Sequence, residues 1–198
     1  MSQNTVVSAP FRTVRPKLDL MWLRFQDVAP AADESYPNGV IASLKIVGDK
    51  IGGHVKTNFD LGVKDIQDHP TQYPTQPIGF TNACATRLSY VLNYNGIHVP
   101  KSPLWKSVTG ADHNNYIYQV DGMRVFLQQT FGDPDIKEGT TARPEDFKGK
   151  KGIMVFDLHF SDASGHATLW NGTKAIDEDF FHPRAGLTLS AVKLWECP

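Results

Sequence analysis

The spacing of apolar residues changes along this chain, helical at first and strand-like near the end. Residues 18–28 hold Leu18, Leu20, Met21, Leu23 and Phe25, which predicts a short helix closed by Pro30. After a loop over 29–39, Val40, Ile41, Leu44, Val47 and Ile51 recur near every 3.6 residues. They predict an amphipathic helix over 40–51, ended by Gly52 and Gly53. Prolines at 70, 74 and 77 mark residues 60–82 as a long connection, a feature often tied to function in a compact domain. That connection delivers the chain to Thr81-Asn82-Ala83-Cys84, where Asn82 is a good N-cap residue and Ala85, Leu88, Val91 and Leu92 supply an apolar helical face. Asn95-Gly96 ends this helix, and a further one is predicted over 116–131, bounded by Gly132 and Pro134.

Beyond residue 150 the period shortens to two. The run Ile153-Met154-Val155-Phe156 reads as a buried strand. Residues 166–170, Asn171-Gly172 and residues 173–177 read as a hairpin, and residues 188–195 as a final strand. Helices first and antiparallel strands last make an α+β pattern rather than alternating βαβ units. The organisation expected is a loose arm over 1–16 followed by one domain over 17–198.

Composition narrows the classes. The chain is 40% hydrophobic, with 20 basic and 21 acidic residues and a net charge of −1. Such a chain lacks the basic field that nucleic acid or an anionic membrane surface requires. No apolar run approaches the ~20 residues needed to span a bilayer. Residues 1–17 contain no apolar core of a secretory signal, so none is expected. The two cysteines, Cys84 and Cys197, form no CxxC pair, which excludes a zinc ribbon or a redox motif. Without an export signal a disulfide between them is not expected either.

Chemistry concentrates at two places. A thiol attacks as thiolate, and the start of a helix favours an anion there through its partial positive charge and free N–H groups. The same groups can hold a developing oxyanion. Cys84 therefore reads either as a nucleophile or as a buried structural cysteine. The hairpin supplies a partner. A two-residue type I′ turn at Asn171-Gly172 sets His166 directly opposite Asp177, close enough for imidazole and carboxylate to hydrogen-bond. Together they form the base and orienting acid of a Cys-His-Asp arrangement. A bulge of one residue would break that register. Trp170 lies on the same face as His166 and is a candidate groove residue, as is Asn82 beside the cysteine. Arg87 and Tyr90 follow Cys84 within two turns and either touch substrate or anchor the helix. The other histidines show no metal-ligand spacing, so no metal or cofactor is expected; Asp112-His113 and the pair Asp157, His159 are at most weak ligands.

The segments IGGHVKTNF (51–59), FTNACATRLSYVLNYNG (80–96) and GIMVFDLHFSDASGHATLWNG (152–172) together resemble type VI secretion amidase effectors of family four. These are peptidoglycan amidases related to NlpC and papain-like cysteine peptidases. The resemblance spans roughly 18–195. It implies a single NlpC/papain-like domain with helices packed on an antiparallel sheet and the nucleophile at a helix N-terminus. It maps the family triad onto Cys84, His166 and Asp177. It further implies cleavage of the D-glutamyl–meso-diaminopimelate amide in the peptidoglycan stem peptide, without a cofactor. Delivery by a type VI secretion component into the periplasm of a rival bacterium follows from the same resemblance, as does a cognate immunity protein in the producer. Ala167-Thr168 departs from the acidic or apolar pair often found there in the family, and residues 1–16 and 62–78 look longer than usual. Two other readings stay open: a housekeeping cell-wall remodelling amidase, and a non-catalytic cell-wall binding module in which Cys84 is core.

Overall fold

The outer helices each carry one buried stripe and the central helix is buried all round, which explains how the layers stack. The computed structural model describes residues 13–159, 165–182 and 186–198. Helix α1 (Leu18–Phe25) buries Leu18, Met21 and Phe25 and runs into a 3-10 turn at Gln26–Val28. Helix α2 (Asn38–Ile51) buries Val40, Leu44, Val47 and Ile51. Gly52, at φ 69°, stops it in a backbone conformation that side-chain-bearing residues resist.

The next element corrects the sequence reading. Residues 53–68 form helix α3 (Gly53–Asp68) rather than belonging largely to a connection. Its buried positions, Val55, Phe59, Val63 and Ile66, keep helical spacing, but they are diluted by polar residues, and the prolines that suggested a loop all lie beyond it. α2 and α3 pack together with Tyr90 and Tyr116 in one apolar cluster. The true connection covers 69–83.

Helix α4 (Cys84–Asn93) is central, and all ten of its residues are buried. It touches α1, α2, helix α5 (Val120–Phe131) and two strands introduced below. The helix expected from residue 116 starts four positions later, because Ser107–Thr109 (β1) and Asn115–Ile117 (β2) pair as an antiparallel ribbon. Two bonds hold that stretch extended: the Ile117 N–H donates to Ser89 Oγ at 3.0 Å, and the Tyr116 hydroxyl donates to Asp112 at 2.6 Å.

The main sheet has four antiparallel strands in the order β3 (Ile136–Glu138), β6 (Thr188–Glu196), β4 (Gly152–His159) and β5 (Gly165–Trp170). β4 shows why it is buried on both faces. Ile153 and Val155 join the cluster formed with α1, α4 and α5, whereas Met154, Phe156 and Leu158 join Phe147, Trp170, Phe180 and Phe181 on the other side. β5 is the edge strand, and it lies against α4.

The hairpin after β5 differs from the expected one. Residues 173–177 form no strand; a single bridge joins Trp170 to Ala175. Asn171 Oδ1 accepts hydrogen bonds from the Thr173 and Lys174 N–H groups, and the Asn171 N–H donates to the Lys174 carbonyl. The asparagine thus closes a longer turn with its own side chain instead of entering a two-residue type I′ turn. The pairing moves by two residues, which keeps every side chain on its face. Asp177 consequently comes level with Thr168 rather than His166.

Most of the expected N-terminal arm, residues 1–12, lies outside the described residues. Arg15, within the same span, is tied down by an ion pair to Asp135 and a 2.9 Å bond to the Glu196 carbonyl. Among the described residues no helix is long and apolar enough to cross a membrane.

Candidate active site

Cys84 opens α4 with Ala83 as its N-cap, the Ala83 carbonyl accepting from the Arg87 N–H at 2.8 Å. Asn82, one residue upstream of the cap, accepts the Cys84 N–H on its Oδ1 at 2.9 Å. The expected capping role therefore falls to Asn82 from one position further out. One consequence is that the Cys84 N–H, a candidate oxyanion donor, is already engaged. Both residues line a cleft of about 740 Å³. Its walls come from residues 32–35, from Val40, Ser43 and Leu44 on α2, and from Gly165, His166 and Phe180 across the gap.

His166 enters this cleft at the start of β5. The glycine before it is required by space: a Cβ on Gly165 would meet the Phe156 carbonyl oxygen at 2.2 Å, and its φ is 154°. The imidazole packs near the Phe180 ring, 5.1 Å between centroids. Its Nε2 lies 3.2 Å from Asp177 Oδ1. Asp177 is held in turn by Thr168, whose hydroxyl donates to the same oxygen at 2.5 Å. The side chain of Asp177 is only 2% exposed, and its Oδ2 has no hydrogen-bond partner among the described residues.

Charge and burial act against each other at this pair. Burial by itself lowers the pKa of His166, but the charge of Asp177, the hydrogen bond to it and the sulfur of Cys84 outweigh burial and push the imidazole up to about 10. Burial would likewise raise Asp177. The charge of His166, the bonds from His166 and Thr168, and the positive charge of Arg87 hold its carboxyl below the usual range instead. With Nε2 turned to Asp177, the other ring nitrogen is left for the Cys84 sulfur. Cys84 and His166 thus meet in a cleft with Asp177 buried behind the imidazole, an arrangement that nucleophilic acyl transfer can use.

The remaining sequence candidates separate clearly. Trp170 is not a groove residue. It is 1% exposed, packs on Phe181 and donates its indole N–H to the Phe147 carbonyl at 3.1 Å. The alternation that places it on the face of His166 holds, but that face is covered at its position by Phe147, Ala175, Phe180 and Phe181. Tyr90 anchors α4 by donating to Asp27 at 2.9 Å. Arg87 does line the cleft, 5% exposed, with Nη2 3.3 Å from Glu34. Asp112 is occupied by Tyr94, Tyr116 and Asn114, and Asp157 by Arg124 and Lys193. No cluster of potential metal ligands occurs among the described residues. Both cysteines are free thiols. Glu34 is not singled out by the sequence, and Thr168 stands out there only as half of the Ala167-Thr168 departure from the family's usual pair. Thr168 could have been found from its parity with His166 on one strand face, whereas Glu34 sits in a loop with no periodic signal.

Residues 80–195 match the family model of type VI secretion system (T6SS) amidase effector protein 4. Among solved structures, the type VI effector Tae4 from Enterobacter cloacae is 32% identical with a TM-score of 0.75, covering 94% of this chain and 99% of its own. The Tae4–Tai4 effector–immunity complex from Enterobacter cloacae gives 33% identity and a TM-score of 0.75, covering 93% of this chain and 100% of that one. The Tae4–Tai4 complex from Salmonella Typhimurium gives 33% and 0.72, covering 93% and 99%. No curated protein matches the chain.

Proposed function

The chain belongs to the type VI secretion system amidase effector protein 4 family, and from that premise we propose that it is an antibacterial cysteine amidase that cuts the peptidoglycan stem peptide between D-glutamate and meso-diaminopimelate. The observation that carries the cysteine chemistry is the convergence of Cys84, His166 and Asp177 at the cleft between α4 and the edge strand β5. The choice of bond rests on the family.

In this mechanism the Cys84 sulfur attacks the amide carbonyl while its proton rests on His166. The paired negative charge of Asp177 favours the imidazolium, which keeps that proton available for the next step. Collapse of the tetrahedral intermediate transfers the proton to the leaving amine of diaminopimelate and leaves a thioester on Cys84. Water, deprotonated by the now neutral His166, then releases the D-glutamyl product and restores the thiol. Asp177 fixes the ring through Nε2 and is itself fixed by Thr168, so the imidazole needs little rearrangement between the two steps. The carbonyl oxygen gains negative charge at the start of α4, where the helix dipole favours it. To use the Cys84 N–H, that oxygen must displace the Asn82 carboxamide, which lines the same cleft.

Acting in the periplasm of a target cell, carriage by a type VI secretion component, and neutralisation by an immunity protein complete the proposal. The last is supported by the Tae4–Tai4 complexes formed by the similar effectors. Digestion of diaminopimelate-containing peptidoglycan with the protein and with Cys84→Ala, read by fragment mass, tests it. A disaccharide-dipeptide product that disappears with Cys84→Ala is the expected result. Free disaccharide with intact stem peptides would move the cut to the muramoyl–L-alanine bond, and undiminished digestion by Cys84→Ala would remove the cysteine mechanism.

A further inference from the structure

Arg87 is a buried cation at the edge of the catalytic machinery that the mechanism above does not use. It sits three residues after Cys84 on α4, so the two side chains share a helix face. Its side chain is 6% exposed, yet it lines the cleft. Nη2 reaches Glu34 at 3.3 Å, and Nε is buried with no hydrogen-bond partner among the described residues. A guanidinium offers five donors in a planar fork that matches a carboxylate. Here that capacity is largely unspent, in a place where an unsatisfied donor is costly.

Its counter-ion is unevenly matched to it. Glu34 is 40% exposed where Arg87 is 6% exposed. The backbone beneath Glu34 is fixed: Gly39 leaves no room for a Cβ, since Asp33 O would lie 2.0 Å from it, and the Gly39 N–H donates to the Ser35 carbonyl at 2.8 Å. The Ala31 N–H also donates to Ser43 on α2. Solvent is therefore open to the Glu34 side chain on its own, whereas Arg87 is enclosed. A buried cation covered by an exposed carboxylate has the makings of an exchangeable carboxylate site.

We propose that Arg87 is a substrate-binding residue that takes the free α-carboxylate of the D-glutamate whose side-chain carbonyl is attacked by Cys84, and that Glu34 occupies the site in its absence. This deepens the stem-peptide reading and rests on it. In a γ-linked D-glutamyl amide the α-carboxylate lies on the acyl side, close to the scissile carbonyl, and Arg87 lies one helical turn from the attacking sulfur. The site reads the anion: a stem peptide with that carboxyl converted to a carboxamide keeps its shape and loses the charge and the bidentate acceptor. Glu34 acts as an internal competitor, so substrate must displace it.

The test uses binding to the inactive Cys84→Ala protein, which does not depend on which amide is cut. Two disaccharide-tetrapeptide muropeptides are compared, identical except that the D-glutamate α-carboxyl is free in one and amidated in the other. The free-carboxyl form should bind about tenfold or more tighter. Adding Arg87→Gln should bring the two affinities together. Adding Glu34→Gln, at a half-exposed position that is safe for folding, should tighten the free-carboxyl form and leave the amidated form unchanged. Equal binding of the two muropeptides to Cys84→Ala overturns the proposal, and so does weaker binding of the free-carboxyl form in the Glu34→Gln background. Loss of the proposed scissile bond in the digestion experiment, with the binding preference intact, would strike the bond assignment and leave the carboxylate site standing.

Discussion

Cys84 and Cys197 belong to one apolar cluster and are nearly equally hidden, 3% and 8% exposed. Burial does not tell them apart; their neighbours do. Cys197 follows the last strand, its thiol directed to the Trp195 carbonyl, and burial pushes it up to about 11. Cys84 opens a helix, borders a cleft and faces an imidazole whose own proton is held by a buried carboxylate. A thiol is made reactive by what compensates its negative charge, and a low exposed area is compatible with either fate.

The largest effect should come from exchanging the two thiols' fates by mutation. Cys84→Ala should lower hydrolysis of peptidoglycan by about ten-thousand-fold or more, as expected for loss of a nucleophile. Cys197→Ala should change kcat less than about twofold and cost stability instead, since it only removes a buried sulfur. Turnover measured on muropeptides together with melting temperature checks both. Iodoacetamide at neutral pH should modify Cys84 and spare Cys197, followed by peptide mass. Equal labelling of the two would erase the distinction.

Removing the compensating carboxylate should come next in size. Asp177→Asn keeps the shape, but it takes away the charge that raises His166 and the acceptor that fixes its Nε2. A fall in kcat of about a thousandfold is expected, in line with the cost of misorienting a catalytic imidazole. Alkylation of Cys84 should slow in parallel, while that of Cys197 should not move. A variant in which turnover falls but Cys84 labels at the original rate would assign Asp177 to a later step than thiol activation.

The same contrast separates what local sequence determines from what only tertiary packing decides. The helix start at Cys84 was legible because its signals are local: a run of Thr, Asn and small residues, then an apolar face. The His166–Asp177 pairing was reached through a turn that does not form. The longer turn closed by Asn171 shifts the register by two residues, and the side-chain period of two left Asp177 on the correct face, now level with Thr168. Face was legible, neighbour was not. α3 is hidden because its four buried apolar side chains are spread through a polar sequence and followed by a proline-rich stretch. Trp170 was misassigned because alternation gives the face of a strand but not what covers it; distant residues such as Phe147 and Phe181 decide that. The Arg87–Glu34 pair bridges 53 residues: Arg87 stands out by its place after Cys84, but nothing in the sequence points to Glu34 as its partner.

A smaller and different effect concerns pH. The folded state raises His166 from 6.5 to about 10, so its contribution to stability is complete below pH 6.5 and is lost as pH climbs towards 10. Asp177 is lowered from 3.8, so its contribution is complete above that value and is lost as pH falls below it through the lowered folded-state value. Stability from this pair should therefore be greatest between about pH 4 and 6.5. Melting temperature should drop by about 5 °C or more between pH 6.5 and 10. Titration of Cys197 near 11 lies outside that window. His166→Gln should flatten the alkaline decline, and Cys197→Ala should leave it unchanged. An unaltered alkaline limb in His166→Gln would place its origin elsewhere in the protein.

The finest division concerns Thr168, which touches neither thiol and acts on Cys84 only through two intermediaries. Its hydroxyl and the His166 Nε2 share Asp177 Oδ1, while Oδ2 has no partner among the described residues. Thr168→Val keeps the branched shape in a fully buried position and deletes the donor. Asp177 then retains only its bond to His166, and the lost bond to a charged acceptor should cost about 1–3 kcal/mol of stability. Because His166 still orients and neutralises the carboxylate, kcat should fall less than about tenfold, well short of Asp177→Asn. Cys84 alkylation should slow by a similar small factor and Cys197 should again be indifferent. Muropeptide turnover and labelling rate, measured beside urea unfolding, separate the two contributions. A loss of turnover as deep as that of Asp177→Asn would mean that Thr168, rather than His166, fixes the carboxylate. The longer turn, which brings Thr168 level with Asp177, would then be the feature on which reactivity of the first thiol depends.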